Sequence, residues 1–106
     1  EFGRGLFRSL DETIRRLIAF ERAGADVLFA PSLPNLEAIR QVCEALGKPA
    51  NVVMGLAGSK LTVGELAGAG VLRVSVGSAF ARAASAAFRR AALEVQNAGR
   101  RSGGAR

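Results

Sequence analysis

The sequence predicts an α/β fold of about three parallel strands and four helices. Three observations predict it. First, short, mostly apolar runs occur at residues 25–30, 49–54 and 71–76, and their length and Val/Phe content suit buried strands. Second, the stretches before and after them carry apolar residues at helical spacing behind good capping residues. Third, Gly24, Gly47 and Gly70 recur 23 residues apart and punctuate a repeating helix–strand unit. Strands apolar on both faces belong in a parallel sheet covered by helices. Right-handed crossovers then bring every strand-to-helix loop to one end of the sheet.

The first helix is predicted over residues 9–24. Ser9 and Glu12 fit a capping box, in which the hydroxyl takes an orphan amide and the carboxylate reaches back. Leu10, Ile14, Leu17 and Ile18 share one face, and Gly24 is a good stop. The first strand ends at the breaker cluster Pro31-Ser32-Leu33-Pro34. Asn35 caps the next helix, with Leu36, Ile39, Cys43 and Leu46 on its buried side. The second strand starts at Pro49, a position where proline costs no ladder bond. Thr62 and Glu65 form a second capping box for a short helix that stops at Gly68 or Gly70. The third strand runs into Gly77-Ser78, and an Ala-rich helix follows over residues 79–96. Phe80, Ala84, Phe88, Ala91 and Val95 lie toward one side of it.

With 106 residues, half of them apolar, the chain can bury one real core. No apolar run reaches the ~18–20 residues of a membrane span, and no secretory signal pattern is present. Cys43 is the single cysteine, so no internal disulfide can form, and a reducing, cytoplasmic setting is the simplest reading. The chain begins at Glu1, which reads as processed or cut from something longer. The net charge of +6 raises the question of a nucleic-acid partner, but its distribution argues against one. Residues 11–98 carry a net charge of only +2, and the rest comes from Arg4, Arg8, Arg100, Arg101 and Arg106, offset by Glu1. Tyr and Trp, which would stack on bases, are absent.

Three parallel strands leave two sheet edges bare. The segment is therefore either part of a closed barrel of eight strands or a unit that completes itself by assembly. The strings LDETIRRLIAFERAGADVLFAPSLPNLEAIRQVC, KPANVVMG and TVGELAGAGVLRVSVGSAFARAA carry a family resemblance. Over most of residues 9–96 the chain resembles the isocitrate lyase / phosphoenolpyruvate mutase superfamily, whose members are (β/α)₈ TIM barrels. The resemblance implies that residues 1–8 lead in from strand five and that residues 9–98 supply strands six to eight. Residues 99–106, rich in Gly, Ser and Arg, are expected to be a disordered basic tail.

The resemblance further implies a carbon–carbon bond lyase acting on small 2-oxo or 2-hydroxy carboxylic acids through an enolate stabilised by Mg²⁺. It also implies a homo-oligomer that can exchange its last helix. Departures from the family pattern are specific. The family's metal-binding carboxylates and its catalytic cysteine loop belong to earlier strands, so no metal ligand is expected in this chain and its catalytic residues are unknown. Where relatives carry Phe-Pro-Glu after strand six, this chain has Phe29-Ala30-Pro31, with Pro31 at the glutamate position. Where some carry Asn at the end of strand seven, it has Val53, with Asn51 two residues deeper on the same strand face.

The loop GLAGSK after the second strand lacks the spacing of a nucleotide-binding P-loop. Its position at the catalytic end of strand seven makes Gly55, Leu56 and Gly58 candidate substrate-binding residues, against the alternative of a plain connection. Ser75, Gly77 and Ser78 are candidates after strand eight, where backbone amides at a helix start can hold an anion. The alternative for Ser78 is a helix cap. Cys43 reads as a core thiol, since no histidine exists to activate it. Asp26 and Arg73, near strand starts, read as structural charges and candidate partners. Two functions follow as expectations. One is the C-terminal segment of a lyase, inactive by itself. The other is a non-catalytic, self-associating module with an anion site at the strand C-terminal ends.

Overall fold

The computed structural model describes residues 9–55 and 60–99. The element order is α1 (Leu10–Arg22), β1 (Leu28–Phe29), α2 (Leu36–Ala45), β2 (Ala50–Val53), α3 (Val63–Gly68), β3 (Arg73–Ser75) and α4 (Ala79–Ala98). The three strands form one parallel sheet in the order β1-β2-β3. This is the α/β architecture expected, four helices and three parallel strands. The lead-in at residues 1–8 and the tail beyond Gly99 lie outside the described residues.

The strands are shorter than their apolar runs. Pairing begins where Leu28 N–H donates to the Pro49 carbonyl (2.9 Å), and Pro49 has no N–H to extend the ladder. It continues past β2, where Met54 N–H donates to the Ser75 carbonyl (2.7 Å). The register aligns Phe29 with Asn51 and Asn51 with Arg73, then Val52 with Val74 and Val53 with Ser75.

The caps explain the helix starts. Ser9 Oγ accepts from Glu12 N–H (3.2 Å), but the Glu12 carboxylate turns to Arg16 (3.0 Å) and leaves that capping box half made. Thr13, buried in the first turn, donates its hydroxyl to the Ser9 carbonyl (2.8 Å). Asn35 Oδ1 accepts from Ala38 N–H (2.9 Å). The Thr62/Glu65 box is complete: Thr62 Oγ1 accepts from Glu65 N–H (3.1 Å), and Glu65 Oε1 accepts from Thr62 N–H (3.0 Å). A helix of six residues needs this, because its own hydrogen bonds barely offset the cost of nucleation.

The chain divides into two compact units, one ending at Ser75 and the next beginning at Val76. In the first, α2 separates two apolar clusters. Its Val42 packs with Leu17, Leu28 and Ala30, while its Ile39 packs with Leu66, Ala69 and Val71. Leu33 touches both clusters. Cys43 joins the second as a half-buried side chain, as the core-thiol reading expects. Burial pushes its thiol up from the ordinary value, and the Glu44 carboxylate adds to that. In the second unit, α4 runs 20 residues and closes on Gly99, whose N–H donates to the Val95 carbonyl (3.0 Å). None of its side chains is buried.

Candidate functional site on the sheet face opposite the helices

Alternation along the strands assigns each side chain to a face. Leu28, Ala30, Val52, Met54 and Val74 belong to the two apolar clusters, so they face α1, α2 and α3. Phe29, Asn51, Val53, Arg73 and Ser75 therefore point to the other side of the sheet. Phe29 stays half exposed there and Arg73 is exposed. In a parallel barrel this second face is the interior, and the C-terminal ends of its strands are where chemistry is done.

The polar groups on this face are hydrogen-bonded to one another. Arg73 Nη1 donates to Asn51 Oδ1 (2.8 Å), and Asn51 Nδ2 donates to Ser75 Oγ (3.0 Å). Register brings them together: Arg73 is directly opposite Asn51, and Ser75 is two residues along β3 on the same face. Asn51 is 6% exposed, so its amide depends on these two partners. Among the described residues no carboxylate pairs with Arg73; it bonds Asn51 and not Asp26.

Of the sequence-predicted site residues, Ser75 sits in this chain of bonds at the C-terminal end of β3. Gly55 follows β2 with φ 82°. Leu56 and Gly58 lie outside the described residues. Gly77 and Ser78 belong to the second unit, where Gly77 has φ 52° and Ser78 precedes α4. The Ser78 hydroxyl makes no capping hydrogen bond, so the cap expected of it is not formed; its φ and ψ of −93° and 10° are not the extended values that aim a cap side chain at the first turn. The sequence reading of Arg73 as a structural charge and of Asn51 as an amide deeper on its strand assigns neither to the site. Their signal was a cationic and an amide residue at inward positions of otherwise apolar strands, but linking them needs the β2–β3 register, which no local pattern specifies.

A cavity of about 60 Å³ lies near the ends of β1 and β2, lined by Ala30, Ser32, Leu33, Ile39, Val52, Val53 and Leu61. It is too small for a substrate, which needs several hundred Å³ as a rule. Ser32 beside it holds the left-handed conformation (φ 61°), which strains a non-glycine residue. Among the described residues no three His, Cys, Asp or Glu side chains cluster as metal ligands. No helix among them is long and apolar enough to cross a membrane.

The family model described as phosphoenolpyruvate phosphomutase matches residues 4–96. Among solved structures, a protein of Burkholderia cenocepacia J2315 described as a lyase/mutase superposes with a TM-score of 0.84 at 54% identity, over 90% of this chain and 34% of its own. A 2,3-dimethylmalate lyase, a PEP mutase/isocitrate lyase superfamily member, matches at 28% identity and TM-score 0.77, over 90% of this chain and 34% of its own. An oxaloacetate acetylhydrolase in complex with the product oxalate matches at 25% identity and TM-score 0.78, over 88% and 33%. The chain thus spans about a third of the length of these relatives. No curated protein matches it.

Proposed function

Since the chain belongs to the phosphoenolpyruvate phosphomutase family, we propose that it is the C-terminal segment of a carbon–carbon bond lyase acting on small 2-oxo or 2-hydroxy carboxylic acids. The observation that carries this reading is the barrel-side face of the sheet. There a serine hydroxyl stands at the end of a strand above a guanidinium that no described carboxylate neutralises. Such a face favours an anion, and a serine at a strand end can donate to a carboxylate or carbonyl oxygen. Ser75, Gly55, Leu56, Gly58, Gly77 and Ser78 are the residues proposed to meet the substrate. Two relatives act, by their names, on 2,3-dimethylmalate and oxaloacetate, which makes these acids the first to try.

The described residues do not fit the Mg²⁺ that family resemblance implies. The inward face offers guanidinium, amide and hydroxyl groups and no carboxylate, and histidine is absent from the chain. Hard cations need several oxygen ligands, with carboxylates among them. The role left to this segment is to hold the organic acid. Accordingly, the 106-residue chain alone should not turn over 2,3-dimethylmalate, oxaloacetate, isocitrate or 2-methylisocitrate. The test is a coupled assay of product formation with each acid, paired with calorimetric titration of oxalate. Oxalate binding without turnover is expected; turnover by the chain alone, or indifference to oxalate, would refute the reading.

A second reading has its own observation. Phe80, Phe88 and Val95 on α4 are 74%, 77% and 54% exposed. At ~100° per residue they fall with Ala84 and Ala91 within an arc of ~80°. We propose that this apolar stripe is covered by a second copy of the chain through exchange of the last helix, giving a homo-oligomer. Sedimentation shows the outcome: a compact monomer at tens of micromolar would exclude it. The proposed setting is the cytoplasm, where a lone thiol such as Cys43 stays reduced.

A further inference from the structure

We propose that Arg73 and Asn51 are positioning residues that lock the Ser75 hydroxyl as a hydrogen-bond donor toward a ligand carboxylate. This rests on the carboxylic-acid reading above and adds how the site achieves it. A guanidinium has donors and no acceptor. The Asn51 atom 2.8 Å from Arg73 Nη1 must therefore be the oxygen. That removes the usual ambiguity between the two ends of an amide. The NH₂ group then faces Ser75 Oγ at 3.0 Å and donates to it. Turning the amide over would set NH₂ against the guanidinium, donor against donor, in a side chain only 6% exposed.

The consequence falls on Ser75. A hydroxyl has one hydrogen to give and two lone pairs. Asn51 occupies a lone pair and cannot accept the hydrogen. No hydrogen bond among the described residues takes that hydrogen from Ser75 Oγ. The half-buried hydroxyl at the strand end is thus turned into a donor, backed by a fixed positive charge on Arg73. A carboxylate oxygen suits such a donor; a cation does not. The Asn51 amide transmits the charge as orientation, without itself meeting the ligand.

The test is a double-mutant cycle on the intact protein that carries this segment, with oxalate as the probe and affinity read by calorimetry. Ser75→Ala removes a hydrogen bond to a charged group and should weaken oxalate roughly 10- to 100-fold. Asn51→Asp keeps the shape but can only accept, so it draws the Ser75 hydrogen inward. It should cost a similar factor and make Ser75→Ala silent in its background. Arg73→Lys, still donor-only, should stay within about threefold of the parent, whereas Arg73→Met, which lets the amide turn, should lose about tenfold. If Asn51→Asp does not fold, the Arg73→Lys and Arg73→Met pair decides. Additive losses, or equal losses from Lys and Met, would overturn the relay and leave the carboxylate site standing. An unmodified protein blind to oxalate would overturn both.

Discussion

Gly24, Gly47 and Gly70 look equivalent in the sequence, yet alanine at each should have a different effect. Gly24 has φ 109° with nothing within 4 Å of an added Cβ, so alanine there suffers backbone strain alone, about 1–2 kcal/mol. Gly70 has φ 104°, and its Cβ would stand 3.0 Å from the Cβ of Cys43 on α2. Neither atom can swing away, so overpacking adds to strain and the total reaches about 2–4 kcal/mol. Gly47 has no positive φ, and its Cβ would meet the Glu21 carboxylate at an ordinary 3.5 Å. Alanine there mainly restricts the unfolded chain and should stabilise by about 0.4–1 kcal/mol. Urea unfolding followed by circular dichroism measures the series. With an m value of about 1–1.5 kcal/mol/M, the midpoint should fall ~1 M for Gly24→Ala, fall ~2 M or more for Gly70→Ala, and rise ~0.5 M for Gly47→Ala. Equal losses at Gly24 and Gly70 would refute the close approach to Cys43. A clear loss at Gly47 would refute the claim that its backbone is unstrained.

The hydrogen-bond chain on the sheet makes an asymmetric prediction. Arg73→Leu leaves one end of the buried Asn51 amide without a partner, whichever way the amide turns, and should cost about 1–3 kcal/mol, while Asn51→Leu leaves only groups that can turn to water and should be nearly neutral, both by urea midpoint. Thr62→Ala removes half of the box that starts α3 and should cost about 1 kcal/mol, accompanied by faster amide exchange in residues 63–68. Cys43 has its pKa raised in the folded state, so the unfolded chain loses its proton first. Stability is unaffected below the ordinary thiol pKa and declines as pH rises from there toward the raised value. Cys43→Ser should flatten that alkaline decline in urea midpoints measured from neutral pH upward, and native Cys43 should react slowly with thiol reagents at neutral pH.

The elements were legible because their signals are local. Thr62 and Glu65 are three residues apart, and the box they predict is made in full. Ser9 and Glu12 have the same spacing, yet Glu12 pairs with Arg16 one turn on, a competition that spacing does not resolve. The glycine period correctly marked the helix ends, but Gly24 and Gly70 serve by φ and Gly47 does not. The site was the least legible part because it arises from cross-strand register. Val53 and Asn51 were correctly placed on one strand face. What could not be read is that Arg73, 22 residues further on, lies opposite Asn51, because parallel pairing is set by how the intervening helix packs. Arg73 near its strand start therefore reads, from sequence, as a structural charge and a candidate partner of Asp26. Once the register is known, the two features account for each other. Asn51 can be buried inside an otherwise apolar strand because Arg73 and Ser75 satisfy its amide. The same bonding ties a cation at the base of β3 to a hydroxyl at its end, so the charge that departs most from an apolar strand is also the one joined to the candidate site.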